Sequence, residues 1–194
     1  MEDCPCSFAA LETLYGTPVP GSTTYTRTYY GWALYQEYKI TENGIKMVAG
    51  SHVPIKLSLD SNEEGYTLTE YWEPRDGSYF VSDIREKCPS HIAEDMLDSQ
   101  KFILEQMQDC YHQAVQFSGL DTMAVIDKLL DTICSGPLTS SNPYDYIEAH
   151  FLEYRELTYY GEYSARYREE RLASGVLQGL EAAIMDIVFS PEPF

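Results

Sequence analysis

The side chains with the greatest chemical potential lie around one predicted turn, Pro74-Arg75-Asp76-Gly77. Aromatic rings, a guanidinium and carboxylates share this short stretch, and such groups bind ligands by stacking, cation–π contacts and charge-assisted hydrogen bonds. We therefore predict a binding surface made of His52, Trp72, Glu73, Arg75, Asp76 and Tyr79. The alternative is that Arg75 only closes salt bridges with Glu73 or Asp76.

A carboxylate on the preceding strand is the one candidate for acid or base chemistry. Glu70 shares a predicted strand face with Tyr66, Leu68 and Trp72, so burial could raise its pKa. Glycoside hydrolysis and related reactions need a second carboxylate at a defined distance, which sequence does not reveal. The favoured interpretation is that Glu70 forms an ion pair or lies at the sheet edge.

Sequence motifs for common catalytic centres are missing. The chain has no Gly-x-Ser-x-Gly, Gly-x-x-x-x-Gly-Lys, Gly-x-Gly-x-x-Gly or His-Glu-x-x-His pattern. No two of the four histidines stand three to five residues apart, as a helical metal pair would. We expect neither a metal nor another cofactor, although a mixed site such as His91 with Glu94 stays open. The five cysteines are irregularly spaced and are expected to be small buried apolar residues.

The negative net charge of the chain excludes two classes of binding partner. The 194 residues include 13 Lys and Arg against 31 Asp and Glu, a formal charge of −18. Nucleic acid and a membrane surface bound through basic residues are both excluded, because each needs clustered cations. At 44% hydrophobic residues the chain is expected to fold. It has no apolar run of the ~18 residues that a transmembrane segment needs and no visible signal peptide. A cytoplasmic protein is expected if Met1 is the true start, and a fragment of a membrane-anchored parent would look the same.

The elements that position these residues change type near residue 80. Before it, alternating patterns predict a three-stranded antiparallel meander with turns at Thr41-Glu42-Asn43-Gly44 and Asn62-Glu63-Glu64-Gly65. Gly50-Ser51-His52 interrupts the second strand and predicts a bulge or a break.

After residue 80, helical periodicity and cap residues predict about five helices. They include Val81–Glu86, a long helix from Ser90 to Gly119, one capped by Asp121, one opened by Asn142-Pro143, a long helical pattern over Ala149–Ala173, and Val176–Val188. The predicted fold is α+β: a disordered or extended segment 1–24, a single domain 25–188 and a tail 189–194.

Tyrosine is unusually frequent, with 17 residues. Tyrosine suits binding faces because it offers a large contact area at low entropy cost. Tyr160, Tyr163 and Tyr167 also fit an ordinary packing stripe of a helix, and both interpretations stay open.

Four segments carry a resemblance to a known family. They are Gly50-Ser51-His52-Val53-Pro54, Thr69 to Tyr79, Ser82 to Lys87, and Ser141-Asn142-Pro143 through Tyr159-Tyr160-Gly161. Over residues 25–188 the chain resembles an uncharacterised domain of gut Firmicutes proteins. That domain often follows the membrane zinc peptidase of receptors resembling β-lactam sensors. The resemblance implies an extracytoplasmic accessory or sensing domain. It does not bring peptidase activity, since His-Glu-x-x-His has no match.

Three hypotheses follow. The first is a non-enzymatic sensing or interaction domain, associated with the cell envelope, that binds an unknown protein or small molecule. The second is a small hydrolase that uses Glu70 or Glu73 with a histidine. The third is an acidic cytoplasmic inhibitor or immunity-like protein that docks on a basic partner.

Overall fold

A computed structural model of the chain describes residues 5–16, 24–41, 44–62, 65–137 and 139–190. The fold is α+β, as the sequence predicts, with one antiparallel sheet followed by helices. The sheet has four strands in the order β1-β2-β3-β4. Their bounds are β1 Cys6–Tyr15, β2 Tyr25–Thr41, β3 Gly44–Asn62 and β4 Gly65–Trp72.

The prediction of three strands was wrong because β1 was missed. The register of β1 on β2 shifts between Ala10 and Glu12, and this irregularity breaks the alternation that marks a strand in the sequence. Close pairing with β1 requires a glycine at position 31, because a Cβ atom on Gly31 would lie 2.1 Å from the carbonyl oxygen of Ala9.

The predicted turns are only partly described. Their central residues, 42–43 and 63–64, lie outside the described residues, while Gly44 and Gly65 have φ of 127° and 131°. β3 continues through Gly50, so the strand has no break there. At Gly50 a Cβ atom would lie 2.8 Å from the carbonyl oxygen of Tyr35, a close backbone approach that only glycine permits.

Eight α-helices lie within the described residues, rather than the five predicted. They are α1 Phe80–Lys87, α2 Ser90–Ala93, α3 Ile103–Ser118, α4 Thr122–Cys134, α5 Pro143–Ala149, α6 Phe151–Tyr159, α7 Glu162–Ala173 and α8 Gly179–Val188. The cap predictions at Asp121 and Asn142 are confirmed: Asp121 accepts from the Ala124 N–H and Asn142 from the Tyr144 N–H.

The two longest predicted helices are divided. Ser90 begins α2, which ends at Ala93, and Asp98 takes an extended conformation before α3. The Asp98 carboxylate accepts from the Gln100 N–H, a local bond that competes with helix formation. The stretch 149–173 is divided at His150 and again at Gly161, where φ is 49°.

The chain divides into two compact units. The first comprises Met1–Glu37 and Ala49–Met107, and the second comprises Tyr38–Val48 and Gln108–Phe194. In the first unit, Tyr30 of the sheet packs with Ile84, Cys88, Ile92, Ala93 and Met96 from α1, α2 and the turns beside them. In the second, α4 and α6 bury Ile126, Leu130, Ile133 and Leu157. The predicted single domain over 25–188 stays a prediction. None of the helices described is long and apolar enough to span a bilayer.

Candidate functional site

Trp72 is the last residue of β4 and belongs to the binding surface predicted from the sequence. Its side chain is half-buried and packs against the core cluster of the first unit, to which Tyr30 belongs. This packing fixes the point at which the chain leaves the sheet. Trp72 is therefore a structural residue as well as a candidate contact for a ligand.

Arg75 is held in one orientation by α1. Its Nε donates to Asp83 Oδ2 at 2.9 Å, its Nη2 to Oδ1 at 2.7 Å, and its backbone N–H to Oδ2 at 3.0 Å. The guanidinium carbon also lies 4.2 Å from the centre of the Tyr79 ring. These bonds lower the pKa of Asp83 to about 2, so the pair stays ionised. The Arg75 side chain is nonetheless 67% exposed and remains accessible to a ligand.

From the sequence, the alternative for Arg75 was a salt bridge with Glu73 or Asp76. In the described residues its salt-bridge partner is Asp83. Glu73 instead accepts a hydrogen bond of 2.7 Å from the Tyr71 hydroxyl, which raises the pKa of Tyr71. Asp76 is exposed at the bend between β4 and α1. Asp83 lies eight residues after Arg75, a spacing that carries no sequence signal because the intervening turn sets the geometry.

Glu70 has a lowered pKa rather than the raised pKa that acid catalysis would need. Its carboxylate lies between two lysines, with Lys56 Nζ at 2.5 Å from Oε2 and Lys87 Nζ at 2.6 Å from Oε1. Hydrogen bonds from these lysines lower the pKa of Glu70 to about 2. At neutral pH this carboxylate is ionised and holds no proton to donate. The ion-pair alternative is the correct one.

A cleft opens between the end of β4 and α1, with a volume of about 390 Å³. We call it the β4–α1 cleft, and its lining residues are Trp72, Glu73, Arg75, Asp83, Glu86 and Lys87. It combines an aromatic ring with two cations and three carboxylates. Three of the six predicted site residues line it, and Tyr79 adjoins it through Arg75. Asp83, Glu86 and Lys87 also line the cleft and were not predicted as site residues.

His52 is not among the residues that line the cleft. Its ring packs on Trp32 with 4.5 Å between ring centres, and Nε2 lies 3.0 Å from Gln106 Oε1. Burial lowers the pKa of His52, and the bond to Gln106 opposes that effect. Gln106 also donates to the carbonyl oxygens of Trp32 and Ser7. His52 and Gln106 thus form a buried polar link within the first unit.

A second cleft lies in the second unit and was not predicted. It has a volume of about 490 Å³ and is lined by Lys128, Leu129, Asp131, Thr132, Glu153 and Glu156. Burial, and secondarily the charge of Glu153, raises the pKa of Glu156 to about 7. Sequence reasoning missed Glu156 because it is one of 31 acidic residues and nothing local marks its burial.

Among the described residues, no three His, Cys, Asp or Glu side chains are grouped as metal ligands. In comparisons with known proteins, no family model, no curated protein sequence and no solved structure matches this chain.

Proposed function

We propose that the protein is a non-enzymatic sensing or interaction domain that binds a polar ligand or a peptide in the β4–α1 cleft. The observation that carries this proposal is the arrangement of Arg75. Two side-chain bonds to Asp83 fix the guanidinium, and yet most of it is exposed beside Trp72. A binding group that is oriented before the ligand arrives loses little entropy on binding.

The cleft suits a ligand of mixed polarity. Arg75 and Lys87 can donate hydrogen bonds, while Glu73 and Glu86 can accept them. The exposed part of the Trp72 ring offers an apolar surface at the same place. Each cation already has a carboxylate partner, so binding depends on shape and hydrogen bonding as well as charge.

The hydrolase hypothesis receives less support. A general acid must hold a proton near the working pH, whereas the two lysines keep Glu70 ionised. The other carboxylate proposed for this role, Glu73, accepts from Tyr71, and neither residue has a histidine among its hydrogen-bond partners in the described residues. An association with the cell envelope belongs to the proposal and depends on the resemblance of the four segments described above.

The test is a binding titration with two sets of probes, soluble muropeptides and short peptides of varied charge. Arg75→Ala and Lys87→Ala should each weaken binding by about tenfold or more while circular dichroism stays unchanged. Trp72→Ala is less suitable, because Trp72 packs in the core and its removal would also destabilise the fold. The matched control is Arg85→Ala on the same helix, since Arg85 pairs with Glu94 outside the cleft.

Two results would overturn the proposal. One is a bound probe whose affinity neither Arg75→Ala nor Lys87→Ala changes. The other is turnover of a glycoside, ester or peptide substrate that is lost in Glu70→Gln.

A further inference from the structure

One face of the sheet in the first unit carries large side chains that are open to solvent. Its most exposed members are Phe8, Tyr15, Tyr35, Tyr66, Leu68 and Tyr71. We call it the tyrosine face. Alternation along β1 and β2 places Phe8, Tyr15 and Tyr35 on one side. The register shift between Ser58 and Leu59 brings Leu68 and Tyr71 to that same side, opposite Leu59 and Leu57.

Arg27 lies at the end of this face where β1 finishes and β2 and β4 begin. Its guanidinium carbon lies 5.5 Å from the ring centre of Tyr15, 5.0 Å from that of Tyr25 and 5.9 Å from that of Tyr66. These rings come from β1, β2 and β4. Nη2 also donates to the Tyr25 hydroxyl at 3.0 Å. One cation therefore holds three aromatic rings in a fixed arrangement, so that a partner would meet a preformed surface.

The opposite face of the same sheet is the one that the helices cover. Tyr30 and Trp72 point to that side and pack against residues of α1 and α2. The tyrosine face contrasts with it, since Tyr15 is 71% exposed and Tyr66 62% exposed. A monomeric protein rarely leaves so large an aromatic surface in water without a use for it.

The exposed area is close to what a stable dimer needs. Taking about 200 Å² for each complete side chain, the six most exposed residues offer roughly 650 Å². The half-buried Tyr25, Arg27, Tyr29, Leu57 and Leu59 add to this. A standard interface buries about 800 Å² on each partner.

Few charged side chains lie on the described part of this face. The chain has 31 acidic residues, but among the described residues of this face around Tyr15, Tyr66 and Leu68 the charged side chain is Arg27. Carboxylates lie at the rim, where Glu37 accepts from Tyr35 and Glu73 from Tyr71. A surface rich in Tyr and Arg with a polar rim is the usual anatomy of a protein interface. On a chain of charge −18, Glu37 and Glu73 are the carboxylates that the described part of this face presents, and both lie at its rim.

We propose that two copies of this chain associate through their tyrosine faces, with the two sheets packed face to face. Such an interface uses the same patch on both copies and closes with two-fold symmetry. Sheets packed in this way lie about 10 Å apart, which matches interdigitated tyrosine side chains. The proposal is independent of the β4–α1 cleft.

Sedimentation velocity on the full chain, from micromolar to hundreds of micromolar concentration, tests it at low and high salt. We expect a monomer–dimer equilibrium that salt strengthens, because screening reduces the repulsion between two copies of charge −18. Tyr66→Glu and Leu68→Glu each add a carboxylate among the apolar and aromatic side chains of the face and should raise the dimer Kd by about tenfold or more. Leu152→Glu is the matched control, since Leu152 is 66% exposed on α6 in the second unit.

A monomer at every concentration and salt level would overturn the proposal and leave the face to a partner of different chemistry. A dimer that Tyr66→Glu and Leu68→Glu leave intact would also overturn it, because the contact would then lie elsewhere. Circular dichroism of each variant separates loss of the dimer from loss of the fold.

Discussion

Arg75 and Asp83 are joined by two side-chain hydrogen bonds, of 2.9 Å and 2.7 Å, which link the end of the sheet to α1. The same carboxylate accepts the Arg75 backbone N–H at 3.0 Å. One acidic side chain therefore fixes both the backbone of the turn and the direction of the guanidinium. The shape of the β4–α1 cleft depends on this pair.

Replacing Asp83 should loosen the turn without unfolding the protein. In Asp83→Asn the side chain loses its charge and can accept only through one oxygen, so Arg75 is held less firmly. We expect faster hydrogen exchange at the Arg75 amide and weaker ligand binding in the cleft. Glu94→Gln is the control, since it breaks the exposed pair with Arg85. Unchanged exchange at Arg75 would show that the turn does not depend on Asp83.

The Glu70 ion pair should contribute to stability at neutral pH and lose that contribution in acid. Its folded pKa of about 2 lies below the ordinary value of 4.5, so the contribution is present above about pH 4.5 and disappears as the pH falls to about 2. Because Glu70 is partly exposed, we expect an effect below about 1 kcal/mol.

Urea unfolding between about pH 5 and pH 2 measures this effect. Glu70→Gln should flatten the acid dependence of the unfolding free energy, whereas Glu105→Gln on the exposed surface of α3 should not. Identical acid profiles for the two variants would contradict the role assigned to the lysines.

Glu156 should have the opposite effect on the pH dependence of stability: its contribution should decrease as the pH rises. Its folded pKa of about 7 is higher than the ordinary 4.5, so the folded state binds more protons than the unfolded state between these values. Stability must then fall as the pH rises from about 5 to about 8. The carboxyl is partly exposed, and we expect a loss of about 1–2 kcal/mol.

Glu156→Gln tests this directly, because the amide keeps the shape of the side chain and cannot ionise. The variant should be less sensitive to pH over that range, and Glu148→Gln, at an exposed position of α5, should behave as the unmodified chain. A wild-type stability that rises toward pH 8 would contradict the raised pKa.

Replacing Gln106 should lower the stability of the fold. Its side chain is 1% exposed and donates to two backbone carbonyls while it contacts His52. Gln106→Leu leaves these groups without partners in the interior, and we expect a loss of about 2–3 kcal/mol. Gln116→Leu, at an exposed position of the same helix, should cost less than about 0.5 kcal/mol. Equal thermal unfolding of the two variants would contradict the buried polar link.

Interactions between residues close together in the chain determine much of this fold, and the sequence predicts those parts. Alternation and helical periodicity predict an α+β chain. The caps at Asp121 and Asn142 follow from side-chain bonds to the N–H group two or three residues ahead, which no distant contact needs to arrange. The charge of −18 likewise follows from composition alone.

Tertiary structure decides what depends on residues far apart in the chain. β1 exists because it pairs with β2 despite a register shift, which hides its alternation. Glu70 has a lowered pKa because Lys56 and Lys87, 14 and 17 residues away, meet at one carboxylate. Arg27 gathers rings from three strands only once the sheet has formed. A sequence pattern reports the preferences of neighbouring residues, whereas charge partners and exposed faces are set when distant segments pack.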